Sequence, residues 1–112
     1  MEMASIELGG YEMRFDLNTV YVTKNFFPML NLPSEDVSGL STRYFQQMLH
    51  AFDQTHSHTV WVGHSKVYEI SFSDGTIRYI RMETSREGYA QIGLVEDFYL
   101  RYAGTAAHRA RA

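Results

Sequence analysis

The chain has 112 residues, 45% hydrophobic, 21% charged and 14% aromatic, with a formal charge of -3 at pH 7 and no cysteine. Such a length and balance fit one domain with its own core and exclude an intrinsically disordered chain. The acidic balance offers no field for nucleic acid, and the lack of thiols excludes disulfides, iron–sulfur clusters, thiolate metal sites and cysteine nucleophiles.

Residues 1–9 form a flank that is acidic where a signal peptide is basic. No run in the chain reaches the eighteen or so apolar residues of a membrane span, so membrane insertion is not expected and a cytoplasmic location is. Tyr11–Phe15 alternates apolar and charged residues, which reads as a half-buried strand, and Val20–Thr23 returns from it after a turn at Asp16–Thr19. Asn25–Leu30 is too apolar for a loop, but Pro28 limits any helix there to about one or two turns. Leu32, Pro33 and Ser34 end it.

Ser41 and Thr42 offer an N-cap to the chain's clearest helix, in which Tyr44, Phe45, Met48, Leu49 and Phe52 recur on one face. Arg43, Gln46, Gln47 and His50 fall on the other. The segment Thr55–His64 suits a strand by composition and a short returning helix equally well. Tyr68, Ile70 and Phe72 then alternate with polar residues up to Asp74-Gly75, a hairpin dipeptide. The returning strand, Thr76–Thr84, places Ile77 and Tyr79 on one face and Ile80 and Met82 on the other. After a turn at Ser85–Gly88, the strand Tyr89–Phe98 places Ala90, Ile92 and Leu94 on one side. The expected fold is α+β: residues 10–102 form a five-stranded antiparallel sheet whose helical insert, between strands 2 and 3, covers one face. Residues 103–112 read as the start of a C-terminal linker helix or a frayed tail, so the chain is expected to be a fragment.

This order of segments resembles the PAS domain family. Gly10-Tyr-Glu-Met-Arg-Phe-Asp-Leu is similar to the family's opening strand and turn. Phe26-Phe-Pro-Met-Leu-Asn-Leu-Pro is similar to its first helix, with Asn31 where a glycine is usual. Tyr68–Ile80 resembles its Asp-Gly hairpin. Ile92–Arg101 resembles its closing segment, in which Asp97 and Arg101 match while Phe98 and Tyr99 replace the usual Ile and Thr. The resemblance implies a sensory domain that binds a small molecule or a partner in a helix-covered cup and regulates an attached output domain. In bacteria that output is typically a histidine kinase, a diguanylate cyclase or a cyclic-dinucleotide phosphodiesterase. Asp97 and Arg101 would then form the signal junction. Covalent flavin photochemistry needs a cysteine and is excluded.

The candidate ligand pocket comprises Tyr11, Met13, Phe15, Phe45, Met48, Tyr68, Ile70, Tyr79, Ile92 and Leu94. The same stripes also describe a filled core, the ordinary fate of apolar residues at strand and helix spacing. His56, His58 and His64 raise a metal or haem reading, since a His-x-His pair on a strand points both rings one way; surface histidines are the plainer alternative. No catalytic motif is recognisable, so an enzyme is not expected, and a small cone-shaped enzyme would show itself by a buried Asp–His or Asp–Tyr pair. The remaining alternative is a ligand-free module that dimerises through outward apolar residues of the sheet, Ile80 and Met82 among them. A homodimer is expected under either reading.

Overall fold

The computed structural model describes residues 7–56, 60–63 and 65–102. Their order is β1 (Leu8–Arg14), β2 (Thr19–Val22), α1 (Phe26–Met29), a single 3-10 turn (Val37–Gly39), α2 (Thr42–Thr55), β3 (Val60–Val62), β4 (Ser65–Ser71), β5 (Thr76–Glu87) and β6 (Ala90–Tyr102). The strands make one antiparallel sheet in the order β2-β1-β6-β5-β4-β3. The α+β class holds, and the sheet has six strands where five were expected. The extra one is β3, only three residues long and paired with β4, in the segment whose composition left strand and helix open.

Each turn has a chemical cause. Asn18 takes the left-handed backbone that its short amide side chain tolerates, at φ 52°, and closes the β1–β2 hairpin. Its Oδ1 accepts from both the backbone N–H (3.0 Å) and the hydroxyl (3.1 Å) of Thr42, which ties the hairpin to the start of α2. Ser41 is the N-cap, its hydroxyl accepting from Tyr44 N–H at 3.1 Å. In the β4–β5 hairpin Gly75 has φ 88° and donates to Phe72 C=O, while Asp74 Oδ1 accepts from Thr76 N–H. Between β5 and β6 the loop is Gly88-Tyr89 alone. A positive φ at the first of two loop residues is what a type II′ hairpin requires, so the turn lies later than Ser85–Gly88 and β5 runs to Glu87.

Asn31 shows why glycine suits its position. It stands just past α1 at φ 57°, with Asn31 N–H donating to Pro28 C=O and Leu32 N–H to Phe27 C=O. Those two bonds form a Schellman motif, whose left-handed residue is glycine or, failing that, asparagine.

The core lies between the helices and one face of the sheet. Phe26, Phe45, Met13, Met29, Leu30, Ile70, Ile80 and Val95 are all less than 2% exposed. Tyr11 meets Phe45 and Phe26 edge-on at 5.2 and 5.7 Å, so β1 is the strand on which α1 and α2 converge. Truncating a fully buried ring such as Phe45 to alanine costs about 3–5 kcal/mol, enough to threaten a domain of this size. Of the helical stripe, Phe45 and Phe52 are buried and Met48 and Leu49 half-buried. Tyr44 is 46% exposed, because α2 turns it toward the edge of the contact.

Candidate functional site

A cleft of about 320 Å³ opens between the C-terminal half of α2 and the inner face of the sheet. Helical spacing sends Leu49, Phe52 and Asp53 into it from α2, with His50 at the lip. Lys66 and Tyr68 alternate on β4 and therefore share its inner side; Met82 and Thr84 do the same on β5. Tyr11 of β1 and Gln91 of β6 complete the wall. On the sheet side Thr84 lies opposite Gly93, over which the Tyr11 ring is packed.

One polar cluster dominates. Asp53 Oδ1 accepts from Lys66 Nζ at 2.5 Å and from the Tyr68 hydroxyl at 2.8 Å. The Lys66 bond, aided by Tyr68, holds the Asp53 carboxyl below the usual carboxylate range. Burial first, and then the neighbouring carboxylate, push the Tyr68 hydroxyl well above the usual phenol range. Gln91 Nε2 donates to the Tyr11 hydroxyl at 2.9 Å, and burial raises that phenol despite the bond. Asp53 is therefore anionic and both tyrosines protonated at neutral pH. The cluster offers fixed acceptors and donors rather than a group that changes charge near pH 7.

Of the ten pocket candidates, Tyr11 and Tyr68 line this cleft. Met13, Phe45 and Ile70 are core residues, with Phe15 and Met48 packed against that core. Tyr79, Ile92 and Leu94 lie on the opposite, outer face, a correction to the expected parity. In β5, Tyr79 pairs with the exposed Glu69, whereas Ile80 pairs with the buried Tyr68. In β6 the inward residues are Gln91, Gly93 and Val95. Ile80 and Met82 accordingly belong to the inner side, not to an outward dimer surface.

Asp53 and Lys66 escaped the sequence reading, although two signals were present. Asp53 follows Leu49 by four residues on the helical stripe, and Lys66 precedes Tyr68 by two on the strand. Of the two residues expected to form a junction, Asp97 donates its N–H to Glu7 C=O, and its Oδ2 stands 4.0 Å from Arg78. Arg101 lies on β6 opposite Ile77. His56 ends α2, with Nδ1 2.8 Å from Phe52 C=O and its ring against Phe52. His58 and His64 fall outside the described residues, as do the tail 103–112 and residues 1–6 of the flank. Among the described residues no group of three or more His, Asp or Glu could hold a metal ion, and no helix is long and apolar enough to cross a membrane.

The outer face carries a second feature, a shallow groove over β2, β1 and β6. Leu8 (56% exposed), Tyr21 (57%) and Leu94 (45%) rise around backbone left uncovered at Gly10. No protein-family model, no curated protein and no solved structure matches the chain.

Proposed function

We propose that this chain is a sensory domain of the PAS type, which binds a small molecule in the cleft between α2 and the sheet and passes its state through β6 to an attached output segment. The observation that carries the reading is the Gln91–Tyr11 bond at the cleft wall. It makes β6, the strand that also carries Asp97 and Arg101, part of the ligand's surroundings. Order of elements supports it as well: a β1–β2 hairpin, then α1 and α2, then antiparallel strands ending with β6 beside β1. A cleft of about 320 Å³ is at the lower end of the range for small-molecule sites. For a signal to result, the ligand must bind two conformations of the junction with different affinity.

The Asp53–Tyr68 contact is the kind of pair a small cone-shaped enzyme would use. Its two groups are shifted away from neutrality in opposite directions, which favours binding over proton transfer. A ligand-free dimerisation module is the second reading, favoured by the exposed Leu8, Tyr21 and Leu94. Native mass spectrometry of the purified chain separates the two. A small molecule retained on the protein and lost in a Thr84→Trp variant, which places a ring at the exposed wall of the cleft, supports the sensor. An empty dimer that dissociates in Tyr21→Glu supports the module and removes the sensor reading.

A further inference from the structure

We infer that the cleft takes an uncharged, flat, apolar molecule of about two fused rings that carries a hydrogen-bond donor, and that Asp53 Oδ2 accepts that donor. The inference rests on the cleft being a ligand site.

Charge comes first. The Asp53 carboxylate and the Lys66 ammonium stand 2.5 Å apart and cancel. An anionic ligand would have to share Lys66 with Asp53, and a cationic one would reach Asp53 only by standing beside Lys66. Either arrangement sets like charges side by side, at side chains 28% (Lys66) and 35% (Asp53) exposed, where solvent reduces the repulsion without removing it. A neutral ligand meets neither penalty. Valence comes second. Asp53 accepts both of its bonds through Oδ1, and no described residue donates to Oδ2. An ionised carboxylate has about four acceptor positions, so Oδ2 keeps charge-assisted acceptor capacity that a ligand donor in the cleft can use.

Shape comes third. Phe52 and Tyr68, each 4% exposed, meet at 4.9 Å between centroids, and with the half-buried Leu49 and Met82 they form apolar walls suited to a flat body. The cleft volume of about 320 Å³ is roughly twice the ~150 Å³ apolar cavity that takes up one benzene ring.

The test is an NMR titration of the full chain, following backbone amides and the Gln91 side-chain amide, with four probes on one ring system: 2-naphthol, 2-methoxynaphthalene, 2-naphthoate and 2-naphthylmethylamine. The expected result is that 2-naphthol shifts Gln91, Lys66 and Thr84, while the other three bind at least about tenfold more weakly, the size of one lost hydrogen bond to a charged group. In Asp53→Ala, 2-naphthol should fall to the affinity of 2-methoxynaphthalene, whose own affinity is unchanged. Equal binding of 2-naphthol and its methyl ether, or tighter binding of either charged probe, overturns the ligand class and leaves the cleft reading standing. Four probes without effect on cleft residues remove both. The wild-type series decides the class even if the variant fails to fold.

Discussion

Tyr11 stands directly opposite Gly93 across the β1–β6 ladder, and its ring occupies the space that a side chain on Gly93 would need. A β-carbon at Gly93 would meet three ring atoms of Tyr11, so the glycine is required by its neighbour rather than by its own backbone. Gly93→Ala should therefore cost about 1–3 kcal/mol, as overpacking does, and should displace the Tyr11 hydroxyl from Gln91. Pairing the substitution with Tyr11→Ala tests the cause. Urea unfolding of the double variant should show the two losses to be less than additive, whereas simple addition would mean that Gly93 matters for some other reason.

The Lys66–Asp53–Tyr68 cluster should respond unequally to loss of its members. Tyr68→Phe removes a donor from a carboxylate that keeps Lys66 and, at 35% exposure, can take a water in place of the hydroxyl, so about 0.5–1.5 kcal/mol is expected. Asp53→Ala instead leaves the Tyr68 hydroxyl, on a residue only 4% exposed, without its acceptor. About 1–3 kcal/mol is expected there. Thermal or urea denaturation of the two variants gives the comparison, and a reversed order would mean that water replaces Asp53 readily.

At Asn31 the left-handed backbone at φ 57° separates three substitutions. Glycine should be neutral to slightly stabilising, since it adopts that conformation without strain but forfeits the 3.4 Å bond from Asn31 Nδ2 to Ser71 C=O. Alanine should cost about 1–2 kcal/mol, and valine more, because branching at Cβ tightens the same clash. Equilibrium unfolding of the three variants checks the ranking; an alanine variant as stable as glycine would mean that the helix end had rearranged.

The Ser41 cap and the Asp74-Gly75 hairpin were legible because each is written in a short stretch of chain, whereas the end of α1, read at Leu32–Ser34, falls at Asn31. The faces of β5 and β6 were not legible. Along β6 the apolar alternation runs through Ile92 and Leu94, which points the reader to the wrong side. The inward side carries Gln91 and Gly93 instead, because Tyr11 from another strand supplies both the ring over the glycine and the hydroxyl for the glutamine. No property of β6 taken alone reveals that substitution. The cleft escaped for a related reason, since Asp53 and Lys66 acquire meaning only once α2 lies across β4. A three-residue strand such as β3 is too short for alternation to be read.

Asp97 makes a contribution to pH dependence opposite in sign to that of Asp16, Asp36, Asp53 and Asp74, whose carboxyls are held below their ordinary value. Its side chain is 14% exposed, Arg78 approaches only to 4.0 Å, and among the described residues neither Asp97 Oδ1 nor Arg78 Nε has a hydrogen-bond partner. Burial raises the carboxyl above its ordinary 3.8, against the pull of Arg78 and with some help from Glu7. In the unfolded chain Asp97 loses its proton near that ordinary value, whereas in the folded chain it holds the proton to higher pH. At this group the folded protein therefore binds more protons between the two values, and the Asp97 contribution to stability falls as pH rises through that window. Asp97→Asn removes the titration. The variant should match wild type most closely below pH 3.8, gain on it as pH rises, and stay ahead at pH 7. Melting temperatures of the two proteins from pH 3 to 7 measure this directly. A variant less stable than wild type at neutral pH would show that the Arg78 contact outweighs the cost of burying an ionised Asp97.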